Sequence, residues 1–401
     1  MNRDKLTTFF DVLTKIGLGG IFFFIPISNA LISIFAGLTF FGFLGKKIVK
    51  PDFQWLKHKQ NIFLILFFIF MGLSLTNSGQ YLGKSLIALF LKWGKYIALS
   101  LIVQDSITKR KDIFIFVGIF MFSSVLVALS GITQLFWGVE FLRGRNIMLI
   151  ASGVRAINSS FNHYNNFGAY LIIPFLLCVA FVKAPRVLKS GISYFILLLG
   201  ITLAFCIFHT YSRGTWIGVL VGLMTMFVIS RRPRIIFAII FIIGIILFIP
   251  MFQGRFFSIF QAGGDADRFR YWQAAISMFK ENPFLGKGLG TFMAHFAEYL
   301  PNVGISYAHN CFLQILAESG IFSLVFFLTF LCLVLYIGIK KFFSERDPVL
   351  LGGICGLTGF LVHSFFDTNL YSLALAILFW LWVGIVAALG SGKASQNLGE
   401  I

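Results

Sequence analysis

Long apolar runs, joined by short polar connections of which every second one is basic, leave this chain few ways to fold. A helix of about 20 apolar residues crosses the roughly 30 Å hydrocarbon layer of a bilayer. Runs of that kind recur near residues 8–24, 27–45, 61–76, 82–104, 112–136, 164–182, 191–209, 213–230, 235–251, 309–339, 348–364 and 370–390. With 58% of residues hydrophobic, 12% charged and 52 of 401 phenylalanine, no soluble core could shield such a surface from water. The expectation is an all-α integral membrane protein of about twelve transmembrane helices.

The basic residues orient it, because Lys and Arg collect in short cytoplasmic loops. Lys46, Lys47, Lys50, Lys57 and Lys59 follow the second run, and Lys109, Arg110 and Lys111 the fourth. Lys183, Arg186 and Lys189 follow the sixth, Arg231, Arg232 and Arg234 the eighth, and Lys340, Lys341 and Arg346 the tenth. Arg3, Lys5 and Lys393 put both termini on that same cytoplasmic side. The net charge of +18 is therefore a topology signal, and nucleic-acid binding is excluded for want of a soluble domain with a basic face. The first run lacks a small-residue cleavage pattern and reads as a retained helix. Cys178, Cys206, Cys311, Cys332 and Cys355 all lie in apolar runs without zinc spacing, so they read as core residues.

Four regions follow: helices one to nine over 1–251, with an outer segment near 137–163; a large outer loop over 252–308; helices ten to twelve over 309–390; and a cytoplasmic tail over 391–401. Within the large loop, Phe269, Trp272, Ala275, Ile276 and Phe279 space as one apolar stripe of a helix that ends at Asn282-Pro283. Its apolar face is expected to lie on protein or lipid at the outer surface of the bundle. Gly286-Lys287-Gly288-Leu289-Gly290 reads as turn geometry, since no strand precedes it as a nucleotide loop requires. Asp265 and Asp267, flexible and beside two glycines, are poor support for a divalent site.

The outer ends of the apolar runs hold the residues that suggest chemistry: Tyr211-Ser212-Arg213, Arg268-Phe269-Arg270-Tyr271-Trp272 and Ala308-His309-Asn310. Guanidinium groups grip phosphate oxygens through paired N–H groups and are always charged. An imidazole titrates near about 6.5 in water and can take a proton from a hydroxyl. Cations and a titratable ring at one membrane face suit reaction of a lipid-linked diphosphate. Plainer readings stand beside this one: Arg213 at a membrane interface, Arg268 stapled to Asp265 or Asp267, His309 satisfying a loop carbonyl, and Asn310 as a helix cap. Arg143, Arg145 and Arg155 form a second outer basic group, and His163 and His209 are candidates to line a cavity, whereas His295 reads as exposed. His363 and Asp367, four residues apart, read as a hydrogen-bonded pair supporting the site. Lys92 and Lys95 lie inside the fourth run, either facing a cavity for an anionic headgroup or reaching the cytoplasmic interface.

The order Ser212-Arg213-Gly214-x-Trp216, Arg268 four residues before Trp272, Asn282-Pro283-Phe284-Leu285-Gly286-x-Gly288, and His309-Asn310-x-x-Leu313 with Glu318 and Gly320 resembles the O-antigen ligase and polymerase superfamily over roughly 150–370. The Ser160-Phe161-Asn162-His163-Tyr164-Asn165 segment is similar as well. The resemblance implies a GT-C-like glycosyltransferase that needs no metal or other cofactor. It would move a glycan from undecaprenyl diphosphate to a lipid A-core sugar at the periplasmic face of a Gram-negative inner membrane. The family's arginines map onto Arg213 and Arg268 and its histidine onto His309; the extra Arg270 leaves the choice between Arg268 and Arg270 open. Arg270, Arg155, His163, Tyr211, Trp272 and Asn310 are further candidates for diphosphate or glycan contacts. With no carboxylate pair evident for a double displacement, single displacement with inversion is expected. A polymerase acting on the same donor, and a flippase without chemistry, are the alternatives. Polar residues concentrated at one face, rather than spread through the midplane, favour an enzyme.

Overall fold

The computed structural model of the chain describes residues 3–392, apart from 108, 151–152, 183–191, 302 and most of 232–265. Ten of its helices are long and apolar enough to cross a membrane: α1 (Arg3–Phe24), α2 (Asn29–Val49), α3 (Gln60–Asn77), α4 (Gly79–Ser106), α5 (Arg110–Trp137), α6 (Tyr164–Val182), α7 (Ile192–His209), α8 (Arg213–Ser230), α11 (Cys311–Glu345) and α13 (Leu373–Gly390). The chain is a multi-pass membrane protein. Helices α9 (Ala266–Glu281) and α10 (Phe292–Tyr299) lie in the large loop, and α12 (Pro348–His363) is apolar but only 16 residues long. The run expected at 235–251 lies outside the described residues except for scattered positions, as does the basic connection at 183–191.

Helix α13 forms the centre, with Trp380 and Trp382 fully buried, while the outer helices turn phenylalanines and leucines to the surroundings. At the basic end, ion pairs join neighbouring helices: Lys47 to Asp105 at 2.7 Å, Lys15 to Asp112 at 2.9 Å and Arg110 to Asp347 at 2.5 Å. Small residues set the contact that matters most for the opposite end. Gly214, Gly218 and Gly222 recur every four residues along α8 and form one seam against α12. A Cβ on Gly218 would lie 2.6 Å from the Gly359 carbonyl oxygen, one on Gly222 3.1 Å from that of Cys355, and one on Gly214 3.5 Å from His363 Nε2. The two backbones therefore touch, as small-xxx-small seams allow in membranes, and the start of α8 is fixed against the end of α12.

Helix α4 is π-helical over Ile87–Gly94. This stretch turns Trp93 inward, its ring 5.7 Å from Phe67 and 5.6 Å from Tyr371. Lys92 is left exposed on the outward side, and Lys95 is half-buried with its ammonium 5.6 Å from the Tyr96 ring.

The expected loop helix is present as α9, and Ala275 of the predicted stripe is buried, but the rest of the buried face differs from that stripe. Ala274, Ala275 and Met278 are buried against α11, with Tyr271 on Phe296, whereas Phe269 and Ile276 are 59% and 38% exposed. Two alanines let α9 approach α11 closely, which the larger side chains could not do.

Helix α11 is broken at Gly320, with φ 77° and ψ −179°. The Pro283–Gly288 segment runs across the break and takes its hydrogen bonds: Ile321 N to Pro283 O at 2.9 Å, Lys287 N to Ala317 O at 2.9 Å and Gly288 N to Glu318 O at 3.0 Å. Gly286, Gly288 and Gly290 all have positive φ, and a Cβ on Gly286 would lie 2.4 Å from the Glu318 carbonyl carbon. Close backbone approach explains the glycine run.

Candidate active site

Two adjoining cavities open at the end of the bundle away from the basic loops. The first is a narrow cleft lined by Tyr164, Asn165, Tyr211, Ser212, Arg213, Gly214, Arg268, His363 and Phe366. The second, about 330 Å³, is lined by His163, Asn165, Asn166, Tyr307, His309, Asp367, Thr368, Tyr371 and Ser372. Asn165, in the first turn of α6, belongs to both. The fold thus brings Arg213 and Arg268 to one wall, His163 and His309 to the next, and Tyr211 beside the arginines.

Local structure explains the placement. Ser212 caps α8 by accepting from Thr215 N, so Arg213 is the first helical residue and projects from the helix N-terminus. Asn310 caps α11, accepting from Phe312 N and Leu313 N, both at 3.0 Å. Its side chain is thereby committed to the backbone, the plainer of its two readings. Immediately before each cap, Tyr211 and His309 adopt left-handed conformations with φ of 51° and 48°. Such conformations cost non-glycine residues about 1–3 kcal/mol and cluster at functional sites.

His309 Nδ1 lies 3.4 Å from Asp367 Oδ1, an ion-pair distance without hydrogen-bond alignment, and His309 Nε2 lies 3.2 Å from Ser306 Oγ. The ring also stacks on Tyr271 of α9 at 5.9 Å. Asp367 Oδ1 accepts from Thr368 N at 2.8 Å. Burial works against the Asp367 charge, but His309 and His363 outweigh it and hold the carboxyl well below the usual carboxylate range. Burial pushes His163 below the ordinary histidine value, helped by His309 and Arg268 and opposed by Asp367; its Nδ1 accepts from Asn165 N at 3.1 Å.

The expected His363–Asp367 pair is not formed. Helix α12 ends at His363, so the following turn carries Asp367 away to His309, and His363 Nδ1 instead lies 2.9 Å from Asn369 Nδ2. The four-residue spacing would suit such a pair only if the helix continued through both residues.

Beneath the second cavity, buried Glu318 accepts from Gly290 N at 2.9 Å, Phe292 N at 3.3 Å, Gln314 Nε2 at 3.2 Å and Tyr371 Oη at 3.1 Å. Gln314 Oε1 in turn accepts from Ala308 N, next to His309. This carboxylate ties the glycine run, the broken helix and the cavity wall together.

Other candidates lie outside both cavities. Arg270 is exposed in the second turn of α9, Trp272 packs on Phe269, and Arg155 is exposed on a two-residue strand (Arg155–Ala156). Arg143 and Arg145 belong to a hairpin clamped by buried Glu140, which accepts from both their backbone amides. His209 Nδ1 contacts the Phe205 carbonyl, and His295 pairs with Glu298. Asp265 lies outside the described residues. Asp367 and the α8 glycine seam carry more of the site than the sequence reading gave them; the four-residue recurrence of Gly214, Gly218 and Gly222 was the available signal for the seam.

Residues 195–328, about a third of the chain, match the family model described as O-antigen ligase. The chain is also 24% identical over 271 residues to the teichuronic acid biosynthesis protein TuaE of Bacillus subtilis (strain 168), covering 60% of this chain and 54% of that protein. The chain thus spans about half the length of this curated relative. The segment that matches the O-antigen ligase family model is the one that holds Arg213, Arg268 and His309.

Proposed function

We propose that the chain is a metal-independent, inverting glycosyltransferase of GT-C-like architecture, acting on a polyprenyl-diphosphate-linked glycan at the outer membrane face. One observation carries the reading: two arginines line one cavity, a histidine facing a carboxylate lines the next, and the two linings share Asn165. The diphosphate would lie in the first cavity and the acceptor hydroxyl in the second.

In the reaction, the acceptor oxygen attacks the anomeric carbon and the bond from that carbon to the diphosphate oxygen breaks. Arg213 and Arg268 stabilise the charge that grows on the departing diphosphate, an effect worth about 3–4 kcal/mol per well-placed donor in comparable sites. The hydroxyl proton passes to His309 Nε2, where the Ser306 hydroxyl now lies. Asp367, facing Nδ1, favours the tautomer with its proton on Nδ1 and stabilises the imidazolium that forms. The glycosyl diphosphate supplies the driving force, so no nucleotide is needed.

As to substrates, we favour ligation of an undecaprenyl-linked O-antigen to lipid A-core in a Gram-negative inner membrane, in keeping with the matched family. The Bacillus relative, named for teichuronic acid biosynthesis, favours a second reading in which the acceptor is another polyprenyl-linked glycan and the product a longer polysaccharide.

The test is transfer by purified protein in liposomes, given undecaprenyl-diphosphate glycan with and without lipid A-core, in the presence of EDTA. A glycan-bearing lipid A-core band supports ligation, and lengthened undecaprenyl-linked chains support polymerisation. No covalent change in either lipid, or a strict divalent requirement, overturns the proposal. Arg213→Ala and His309→Ala should each abolish transfer in folded protein, and full activity of Arg213→Lys would refute bidentate phosphate recognition.

A further inference from the structure

Beside the arginines lies an imidazole with one nitrogen bonded and the other without a partner. His363, the last residue of α12, is 1% exposed, and its Nε2 has no hydrogen-bond partner among the described residues. It lines the same cleft as Arg213 and Arg268 and sits against Gly214, where a Cβ would come within 3.5 Å of it.

The hydrogen bonds on the other side of the ring fix its tautomer. Asn369 Nδ2 lies 2.9 Å from His363 Nδ1 and 3.3 Å from Ser364 Oγ. The Ser364 hydroxyl spends its hydrogen on the Phe360 carbonyl at 2.9 Å, so its oxygen can only accept from Asn369. The atom facing both groups must be the amide nitrogen, and it donates to Nδ1 as well. A neutral ring that accepts at Nδ1 carries its hydrogen on Nε2. That N–H is a buried donor aimed into the cleft, and a buried donor without an acceptor is unfavourable until a ligand supplies one.

The surroundings specify the ligand. The cleft lies at the N-terminus of α8, an 18-residue helix whose first-turn amides favour an anion. Gly214, without a side chain, lets the His363 ring lie close against the first turn of α8. Among the described residues, no carboxylate lines the cleft. The charged groups among its described lining residues, Arg213 and Arg268, are cations, and the Nε2 hydrogen of His363 asks for an acceptor oxygen.

We propose that His363 Nε2–H donates to a diphosphate oxygen of the polyprenyl donor, as a third side-chain contact beside Arg213 and Arg268. The proposal rests on the function put forward above. His363 adds a directional hydrogen bond from a neutral ring, whereas the arginines add charge, so it selects where the diphosphate sits between them.

The experiment measures binding of undecaprenyl diphosphate to the full chain in phosphatidylcholine nanodiscs. His363→Gln keeps an amide able to reach the Nε2 position; His363→Asn keeps a polar group towards Asn369 but falls short of the cleft; His363→Phe keeps ring volume without a donor. Asn and Phe variants should bind roughly 10- to 100-fold more weakly, as loss of one hydrogen bond to a charged group implies, while Gln retains most of the affinity. Should the Phe chain not fold, the Asn and Gln pair decides. Wild-type affinity in folded His363→Asn, or equal losses in Asn and Gln, would overturn the proposal. Failure of the wild type to bind overturns it together with its premise; binding without glycan transfer under any acceptor sinks the glycosyltransferase reading alone.

Discussion

Replacing Asp367 by Asn removes one charge from the site with little change in shape, and its effect can be worked from the geometry. The carboxylate oxygen lies 3.4 Å from His309 Nδ1. Opposite unit charges at that separation attract by roughly 5 kcal/mol at an effective dielectric of about 20 and by about 1 kcal/mol in bulk water. The His309 side chain is 32% exposed and the Asp367 side chain 13%, so the pair stands between these limits. About 2–3 kcal/mol of imidazolium stabilisation should therefore be lost in the transition state, a roughly 30- to 150-fold fall in turnover. Single-turnover transfer from undecaprenyl-diphosphate glycan at saturating donor measures this step, and donor affinity should stay within about twofold because Asp367 lines the other cavity. Because the Asp367 pKa is depressed in the folded protein, its contribution is complete above the ordinary value of 3.8 and disappears as pH falls through the lower folded value. The deficit should thus be flat with pH across the neutral range as far as Asp367 itself is concerned. Wild-type turnover in Asp367→Asn would refute the claim that the carboxylate supports His309.

Gly320→Ala should destabilise the chain by roughly 2–6 kcal/mol through positive φ and overpacking, since the new Cβ would lie 2.1 Å from the Phe284 carbonyl oxygen; thermal unfolding in detergent at the wild-type midpoint would contradict the close approach. His163, with its folded pKa below the ordinary 6.5, stabilises the fold fully above that value and less as pH falls through the folded one. The thermal midpoint of the wild type should therefore drop between pH 7.5 and 5, and that of His163→Asn should drop less; identical slopes would count against a half-buried, neutral ring.

The helices were legible because each needs only local information, a run of apolar residues bounded by polar ones, and helices α1 to α8 and α11 to α13 fall within a few residues of the expected positions. The outer ends of α8 and α11 were legible as well, since Ser212 and Asn310 cap them by ordinary rules. Face selection was not legible where packing decides it. In α9 the alanines win over Phe269 and Ile276 because α11 lies close, a fact held in residues 40 positions away. His363 and Asp367 fit the spacing of a pair, yet the end of α12 between them sends each to a different partner. The glycine run Gly286–Gly290 signalled a tight backbone, but only the break at Gly320 shows what it is tight against.

Asn165 as the shared wall has a kinetic consequence. Two cavities that share Asn165 in their linings set the proposed donor and acceptor sites side by side, and the single-displacement reading provides no covalent way station on the protein. Under the proposed function, turnover must then pass through a ternary complex. Initial rates measured against both substrates should give intersecting, not parallel, reciprocal plots. Under the same reading the spent polyprenyl diphosphate is left in the arginine cavity and the extended glycan in the histidine cavity, so each should depart without first displacing the other.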